Sequence, residues 1–302
     1  MARERDRAGE RMGRERNDDY AAMKIILAEH FGMCFGVRDA IAQAEALARE
    51  GPLTVLGELV HNPLVRERLH RQGVREASLD AAGSTSNRVM ITAHGASDAK
   101  RDEWRATDAR LADGTCPLVH HAHEHLRKLV ACGFFPVVVG KRGHVEVNGL
   151  VGDFPEAVVL GSAEDVSCLP FRARYGIISQ TTQPIDFVLE IVDLVRRAHP
   201  ESEVRFIDTV CKPTKDRQSA LRKLIDLADA IVVVGGRTSN NTRQLAETCR
   251  AAGKIAFHIE RPEELQADWF GKIDIVGLTA GTSTLPETVR AVHARLLEIA
   301  AT

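Results

Sequence analysis

The chain has 302 residues, of which 44% are apolar, and a formal net charge of −2 at neutral pH. That length suits two or three small domains or one large one with a sizeable core. The near-balanced charge excludes a global basic field for nucleic acid or an anionic membrane, and no apolar run approaches the ~18 residues that a membrane-crossing helix needs.

Residues 1–20, MARERDRAGERMGRERNDDY, are dense in Arg, Glu and Asp. They lack the apolar stretch of a secretory signal and cannot bury a core, so 1–22 reads as a disordered charged extension, either a solvated tail or a misassigned start. From Met23 onward, short β-branched runs predict strands: KIILA (24–28), LTVLG (53–57), RVMIT (88–92), PVVVG (136–140), AVVLG (157–161), YGIIS (175–179), VRFID (204–208), AIVVVG (230–235), KIAFHI (254–259) and DIVGLT (274–279). Amphipathic stretches between them predict helices over 37–49, 63–71, 117–131, 184–198, 214–228, 241–252 and 286–300. Strands apolar on both faces, alternating with helices, predict an α/β fold with mostly parallel sheets.

Six cysteines occur, none in a CxxC pair, which fits a reducing cytoplasm better than a disulfide framework. Cys132, Cys168 and Cys249 lie in apolar or late-helix settings, where an inert buried thiol is the default. Cys34, Cys116 and Cys211 differ: they are 82 and 95 residues apart, and each follows an extended segment just before a helix start. Three such units would bring the thiols to one centre at the strands' carboxyl ends. Three α/β lobes are therefore expected, of roughly 80–100 residues each, with boundaries at 23–115, 116–210 and 211–302 and the C-terminal helix packing back on the body. Singly, a cysteine is usually core filler. Three at matching junctions suit a metal or an iron–sulfur cluster, and three rather than four leave one metal position open for substrate.

Other loops repeat the pattern. His61 (VHNP), His94 (TAHGAS) and His144 (GHVEV) each follow a predicted strand. Imidazoles in one pocket can bind a diphosphate, whose charge favours their protonated form. Glu146, two residues after His144 in an extended GHVEV segment, would share its face; beside an anion and away from water its pKa would rise, as a proton donor requires. Ser239, Asn240 and Asn241 (GGRTSNNTRQL), Ser283 (TAGTST) and Thr181 with Thr182 (SQTT) offer hydroxyl and amide donors, although plain helix capping would explain each alone. The HHAHEH run (His120, His121, His123, His125) misses HExxH spacing and reads as a solvated helix face, with His123 turned inward. No dinucleotide fingerprint or P-loop is present.

Taken together, GMCFGVRDAI, ELVHNPLV, TAHGAS, GTCPLVHHAH, GHVEVNG, SQTT, DTVCKPTKDRQ, GGRTSNNTRQL and TAGTSTLPE resemble the 4-hydroxy-3-methylbut-2-enyl diphosphate reductase family, in order and near its spacing, over essentially all of 23–300. The resemblance implies three lobes arranged pseudo-threefold around a cavity with one [4Fe-4S] cluster per chain ([3Fe-4S] after oxidation), on Cys34, Cys116 and Cys211. It also implies substrate binding by His61, His94, His144, Ser239, Asn240, Asn241 and Ser283, and proton delivery by Glu146 with Thr181. The implied reaction reductively removes a hydroxyl from an allylic diphosphate, giving isopentenyl and dimethylallyl diphosphate, with electrons from ferredoxin or flavodoxin in a cytoplasmic monomer. The family's His-Pro-Glu reads His144-Val145-Glu146 here, GFC reads GMC, ATCPLV reads GTCPLV, and Asn240 stands where Ser is frequent. These departures keep two rivals in view: a related dehydroxylase for another phosphorylated substrate, and a non-enzymatic redox-sensing cluster protein. A zinc hydrolase built on HHAHEH is more remote.

Overall fold

The structure, a computed structural model, describes residues 23–81 and 86–302; the charged extension expected over 1–22 lies outside the described residues. β1 (Lys24–Leu27) leads into α1 (Phe35–Arg49). Then come β2 (Leu53–Leu56), α2 (Pro63–Arg71), β3 (Val74–Ala77), β4 (Arg88–Ile91), α3 (Asp98–Arg105), β5 (Arg110–Asp113) and α4 (Pro117–Ala131). The middle of the chain forms β6 (Phe135–Val139), α5 (Val145–Val151), β7 (Val158–Leu160), β8 (Arg174–Ser179), α6 (Ile185–Ala198), β9 (Glu203–Phe206) and α7 (Lys212–Leu227). It closes with β10 (Ala230–Val234), α8 (Asn240–Ala251), β11 (Ile255–Ile259), β12 (Ile275–Ala280) and α9 (Pro286–Ala300).

The strands form three four-stranded sheets, ordered β3-β2-β4-β5, β7-β6-β8-β9 and β11-β10-β12-β1, parallel throughout. The expected α/β architecture of three lobes is what forms, and the three orders are one pattern repeated. The fourth strand of the last sheet comes from the start of the chain. Lys24–Leu27 pairs with β12 over Ile275–Leu278, so this segment, expected in a 23–115 lobe, belongs to the third sheet. Without it β12 would be an open edge beside a fully apolar strand, a surface that folded proteins cover.

Burial explains the apolar runs. In β10, Val232 and Val234 pack with Val276 and Leu278 against Val289, Val292 and Leu296 of α9. Ile231 and Val233 pack on the opposite face against Leu221 and Leu224 of α7 and Leu245 of α8. A strand covered on both sides needs apolar residues at every position. The elements absent from the sequence reading are β3 and β5, whose exposed positions carry Arg and Glu or Asp, together with α3 and α5.

The repeat fixes the functional loops. The fourth-position strands β5, β9 and β1 run into Cys116, Cys211 and Cys34, which are the N-cap residues of α4, α7 and α1. Each cysteine N–H donates to a carbonyl in the loop after the third-position strand: Cys116 to Ala93 at 3.0 Å, Cys211 to Thr181 at 2.9 Å and Cys34 to Thr282 at 3.1 Å. The lobes thus present equivalent loops from the carboxyl ends of their strands, where open α/β sheets place ligands.

Candidate active site

Three cysteines end at the first turns of three helices. None uses its thiol to cap its own helix, yet the Leu118 and Val119 amides act on the Cys116 sulfur and the Thr214 amide on that of Cys211. Such amides stabilise a thiolate at a helix N-terminus. The Thr214 hydroxyl lies 3.1 Å from Cys211 Sγ. Gly36, in the first turn of α1, faces Cys116 so closely that an added Cβ would lie 2.5 Å from its sulfur. Only glycine lets these two helix starts meet, a requirement that the poor helix former in CFGV signalled and that the sequence reading passed over. Burial pushes the free Cys211 thiol up to about 11 and that of Cys116 above its ordinary value, with Cys34 and Glu146 adding negative potential to both. Three soft donors at equivalent helix starts, with Cys116 and Cys211 raised above the ordinary thiol value, fit a metal-sulfur group that supplies the positive charge.

Above the thiols lies a cavity lined by His61, His94, His144, Glu146, Thr182, Ser239, Asn240, Asn241 and Ser283, among others. Eight of the nine candidate residues outside the cysteines therefore line one cavity. Thr181 stands just behind it. Its N–H donates to Glu146 Oε1 at 2.6 Å and its carbonyl accepts from Cys211 N–H, so the backbone of one residue joins the carboxyl to a cysteine. Glu146 is 2% exposed, and burial raises its pKa to about 7 against the opposing pull of the Thr181 amide and hydroxyl. It can therefore hold a proton near neutral pH and release it.

GHVEV is not extended, as the valine alternation suggested. Residues 145–151 form α5, with His144 as its N-cap. Three alternating residues cannot distinguish a strand from a first helical turn; the outcome is set by Val147 and Leu150, which bury together one turn apart. Glu146 still faces the site, now held by helix geometry.

The three imidazoles pack together, with ring centroids 5.3 to 6.3 Å apart. One ring nitrogen from each lies within 4.8 Å of the others, close enough for a metal. Their hydrogen bonds favour an anion instead. His144 Nδ1 accepts from the Glu146 N–H at 3.2 Å, so the proton of the neutral ring is on Nε2, the form that donates to phosphate oxygen and cannot ligate a metal there. His61 Nδ1 meets Glu58 at 2.8 Å, which orients that ring from behind. Burial and the neighbouring imidazoles lower His94 to about 3, and burial, His61 and Lys141 lower His144 to about 4. Protonated imidazoles were expected beside a bound diphosphate. Without that charge His94 and His144 are neutral near neutral pH, and an arriving anion would raise them.

The opposite wall is the N-terminus of α8. Ser239 caps it, accepting from the Thr242 N–H. The amide nitrogens of Asn240 and Asn241 are buried without a partner, donors awaiting an acceptor. Among the described residues, no lysine or arginine lines the cavity. The lobes are stitched together here, since Asn62 Nδ2 donates to the Ser283 carbonyl at 2.7 Å and a Cβ on Gly236 would stand 2.2 Å from the His61 carbonyl oxygen. Asn62, the cap of α2, was missed beside the more conspicuous His61.

Away from the site, His123 is buried while His120 and His121 are exposed and His125 half-buried. Cys249 is buried, but Cys132 and Cys168, expected in apolar surroundings, are exposed: each terminates a helical segment at the surface. Among the described residues, no helix is long and apolar enough to cross a membrane.

The chain is 37% identical to a 4-hydroxy-3-methylbut-2-enyl diphosphate reductase of Trichlorobacter lovleyi over 87% of its own length and 93% of the relative's. It is 35% identical to the protein of that name from Aquifex aeolicus, over 91% and 96%. A solved structure of (E)-4-hydroxy-3-methyl-but-2-enyl diphosphate reductase, described as the terminal enzyme of the non-mevalonate pathway, superposes with a TM-score of 0.67 at 34% identity, over 91% of this chain and 99% of that one. The Plasmodium falciparum reductase structure shares the fold, with a TM-score of 0.84 at 24% identity over 90% and 87% of the two chains. Residues 25–297 match the family model described as LytB protein, and the chain belongs to that family.

Proposed function

We propose that this protein is the reductase that converts 4-hydroxy-3-methylbut-2-enyl diphosphate to isopentenyl and dimethylallyl diphosphate. The net change is addition of two electrons and two protons, cleavage of the C4–O bond and release of water. The observation that carries the reading is the Thr181 backbone, which links a proton-holding carboxyl, Glu146, to Cys211 beside a pocket of imidazole, amide and hydroxyl donors.

Cys34, Cys116 and Cys211 would hold the [4Fe-4S] cluster, one per chain, with [3Fe-4S] as its oxidised remnant. When bound, the cluster supplies Lewis acidity at the iron without a protein ligand and relays electrons from ferredoxin or flavodoxin. The diphosphate is received by the Nε2–H of His144, by His61 and His94, by the Asn240 and Asn241 amides, and by Ser239 and Ser283. Neutral donors suit this task. They bind the polyanion without a fixed cation that would draw it away from the reacting carbon, and they take up charge only as the ligand arrives. Glu146, protonated and shielded from water, gives its proton to the leaving hydroxyl, and the Thr181 N–H stabilises the carboxylate left behind. The second proton is taken up at one or the other end of the allylic system. Every group needed lies in one chain, consistent with a cytoplasmic monomer.

The test is anaerobic reconstitution with iron and sulfide, followed by assay of the diphosphate with a strong one-electron reductant. Formation of both five-carbon diphosphates is the expected result. A loaded cluster without turnover on this substrate would favour the related dehydroxylase, with Val145 and Asn240 as the first residues to examine.

A further inference from the structure

α7 runs from Cys211 into the third lobe, and its buried face carries Ala220, Leu221 and Leu224. Arg217 lies three, four and seven residues before them, on the same apolar stripe, where a charge is costly. It is only 6% exposed. Its Nη1 donates to the Pro213 carbonyl at 2.8 Å and its Nη2 to the carbonyl of Gly32, two residues before Cys34. Its Nε–H is buried without an acceptor. Among the described residues no carboxylate lies within ion-pair reach of this guanidinium. The contrast is Arg101, the other fully buried arginine, which has Asp98 and Asp113 as partners. Guanidinium cannot shed its proton in a protein, so Arg217 stays charged. The negative groups that act on it most strongly are Cys34 and Cys211, which oppose the downward pull of burial on its pKa.

We infer that Arg217 is the buried counter-cation of the metal-sulfur centre: its guanidinium braces the Gly32 loop against α7 near Cys34 and Cys211, and its charge, matched by no carboxylate partner among the described residues, balances their thiolates. This rests on the iron–sulfur reading above. The role is one of positioning and tuning, since Arg217 touches neither substrate nor the reacting carbon. A positive charge near the ligand sulfurs stabilises the more negative, reduced state, which raises the reduction potential, and it holds the thiolates against loss of iron.

The holoprotein tests this. Wild type, Arg217→Gln and Arg217→Lys are reconstituted anaerobically, iron is counted, and the midpoint potential is measured by a titration monitored by electron paramagnetic resonance. Arg217→Gln should have a more negative midpoint than wild type and lose iron to a chelator several-fold faster, whereas Arg217→Lys should remain nearer wild type in both. Equal midpoints and equal rates of iron loss in wild type and Arg217→Gln would overturn the inference and leave the cluster reading intact. Should Arg217→Gln take up no iron, Arg217→Lys decides: iron uptake restored by the retained charge supports the counter-cation, and an equally empty Lys variant overturns it. A wild-type protein that binds no iron would refute the cluster reading itself, and the inference with it.

Discussion

The floor and the wall of the cavity use the same threefold scaffold in opposite ways. After the fourth-position strand, all three lobes present one residue type at one structural position: Cys34, Cys116 and Cys211, each an N-cap whose N–H is anchored to the loop after the third-position strand. After the second-position strands the lobes present His61, His144 and Ser239, and after the third-position strands His94, Thr181 and Ser283. The floor is symmetric and the wall is not. A metal-sulfur centre has near-equivalent corners and can be gripped by a repeated group. A substrate with a charged head and a single reacting carbon needs different neighbours on each side, so each lobe's wall loops carry their own chemistry.

The largest effect should come from breaking the floor. Cys211→Ser replaces a soft donor with a hydroxyl, a poor ligand for iron. Iron content after reconstitution should fall steeply and reductase activity should drop to background. Equivalent substitutions at Cys34 and Cys116 should match it, because the positions are equivalent; a variant of one cysteine that kept full iron and activity would break the symmetry argument.

On the wall, Glu146→Gln should leave iron content and diphosphate binding near wild type and lower kcat by about 10²–10⁴-fold. The pH profile sharpens this. With Glu146 raised to about 7, kcat/KM should fall as pH rises through that value, because the donor is lost, and the Gln variant should lose that limb. The kcat limb should lie at higher pH, since bound diphosphate raises the carboxyl further. Stability of the cluster-free protein should follow the same group. A carboxyl whose pKa is raised on folding costs nothing below its unfolded value of 4.5 and destabilises progressively as pH climbs to its folded value. At pH 8 the Gln variant should therefore be more stable to thermal unfolding than wild type, by an amount on the order of 3 kcal/mol, with the difference gone at pH 4.

A smaller effect separates two duties of His144, which caps α5 through Nδ1 and faces the cavity through the rest of its ring. His144→Asn keeps a good capping side chain and removes the ring donor; His144→Ala removes both. KM should rise in both, by roughly tenfold for one lost hydrogen bond to a charged group. Only the Ala variant should also lose about 1 kcal/mol of stability, read by thermal melting.

Much of this was legible in the sequence because strong local signals coincide with the site. The three cysteines sit beside Pro or Gly at helix starts, and AIVVV or PVVVG admits no reading but a buried strand. The edges were harder. VREA and RLAD carry charge because both are edge strands of their sheet, so β3 and β5 left no apolar run. That the fourth strand of the last sheet lies at the start of the chain is a long-range pairing that local pattern cannot contain; KIIL predicts a strand, and its partner is set by which edge needs covering. Arg217 left a trace that was not followed, a charge on an apolar stripe. The pairing of Gly36 with Cys116 joins residues from two lobes and becomes visible only in three dimensions.

The smallest predicted effect concerns the residue that departs from the family pattern most visibly. Val145 occupies the first position of α5, where a missing N–H is harmless and a fixed φ favours the helix. His144 before it has φ −69° and ψ 138°, the extended conformation that a following proline requires. The backbone is thus already shaped for proline, and Glu146 is held by its own helix and by the Thr181 N–H without it. Val145→Pro should leave kcat and KM within about twofold of wild type and raise stability by about 0.4–1 kcal/mol through the unfolded chain. A large change in kcat with the proline would show that valine re-aims Glu146, and would make this wall position, rather than the cysteine floor, the place where the protein's substrate preference diverges.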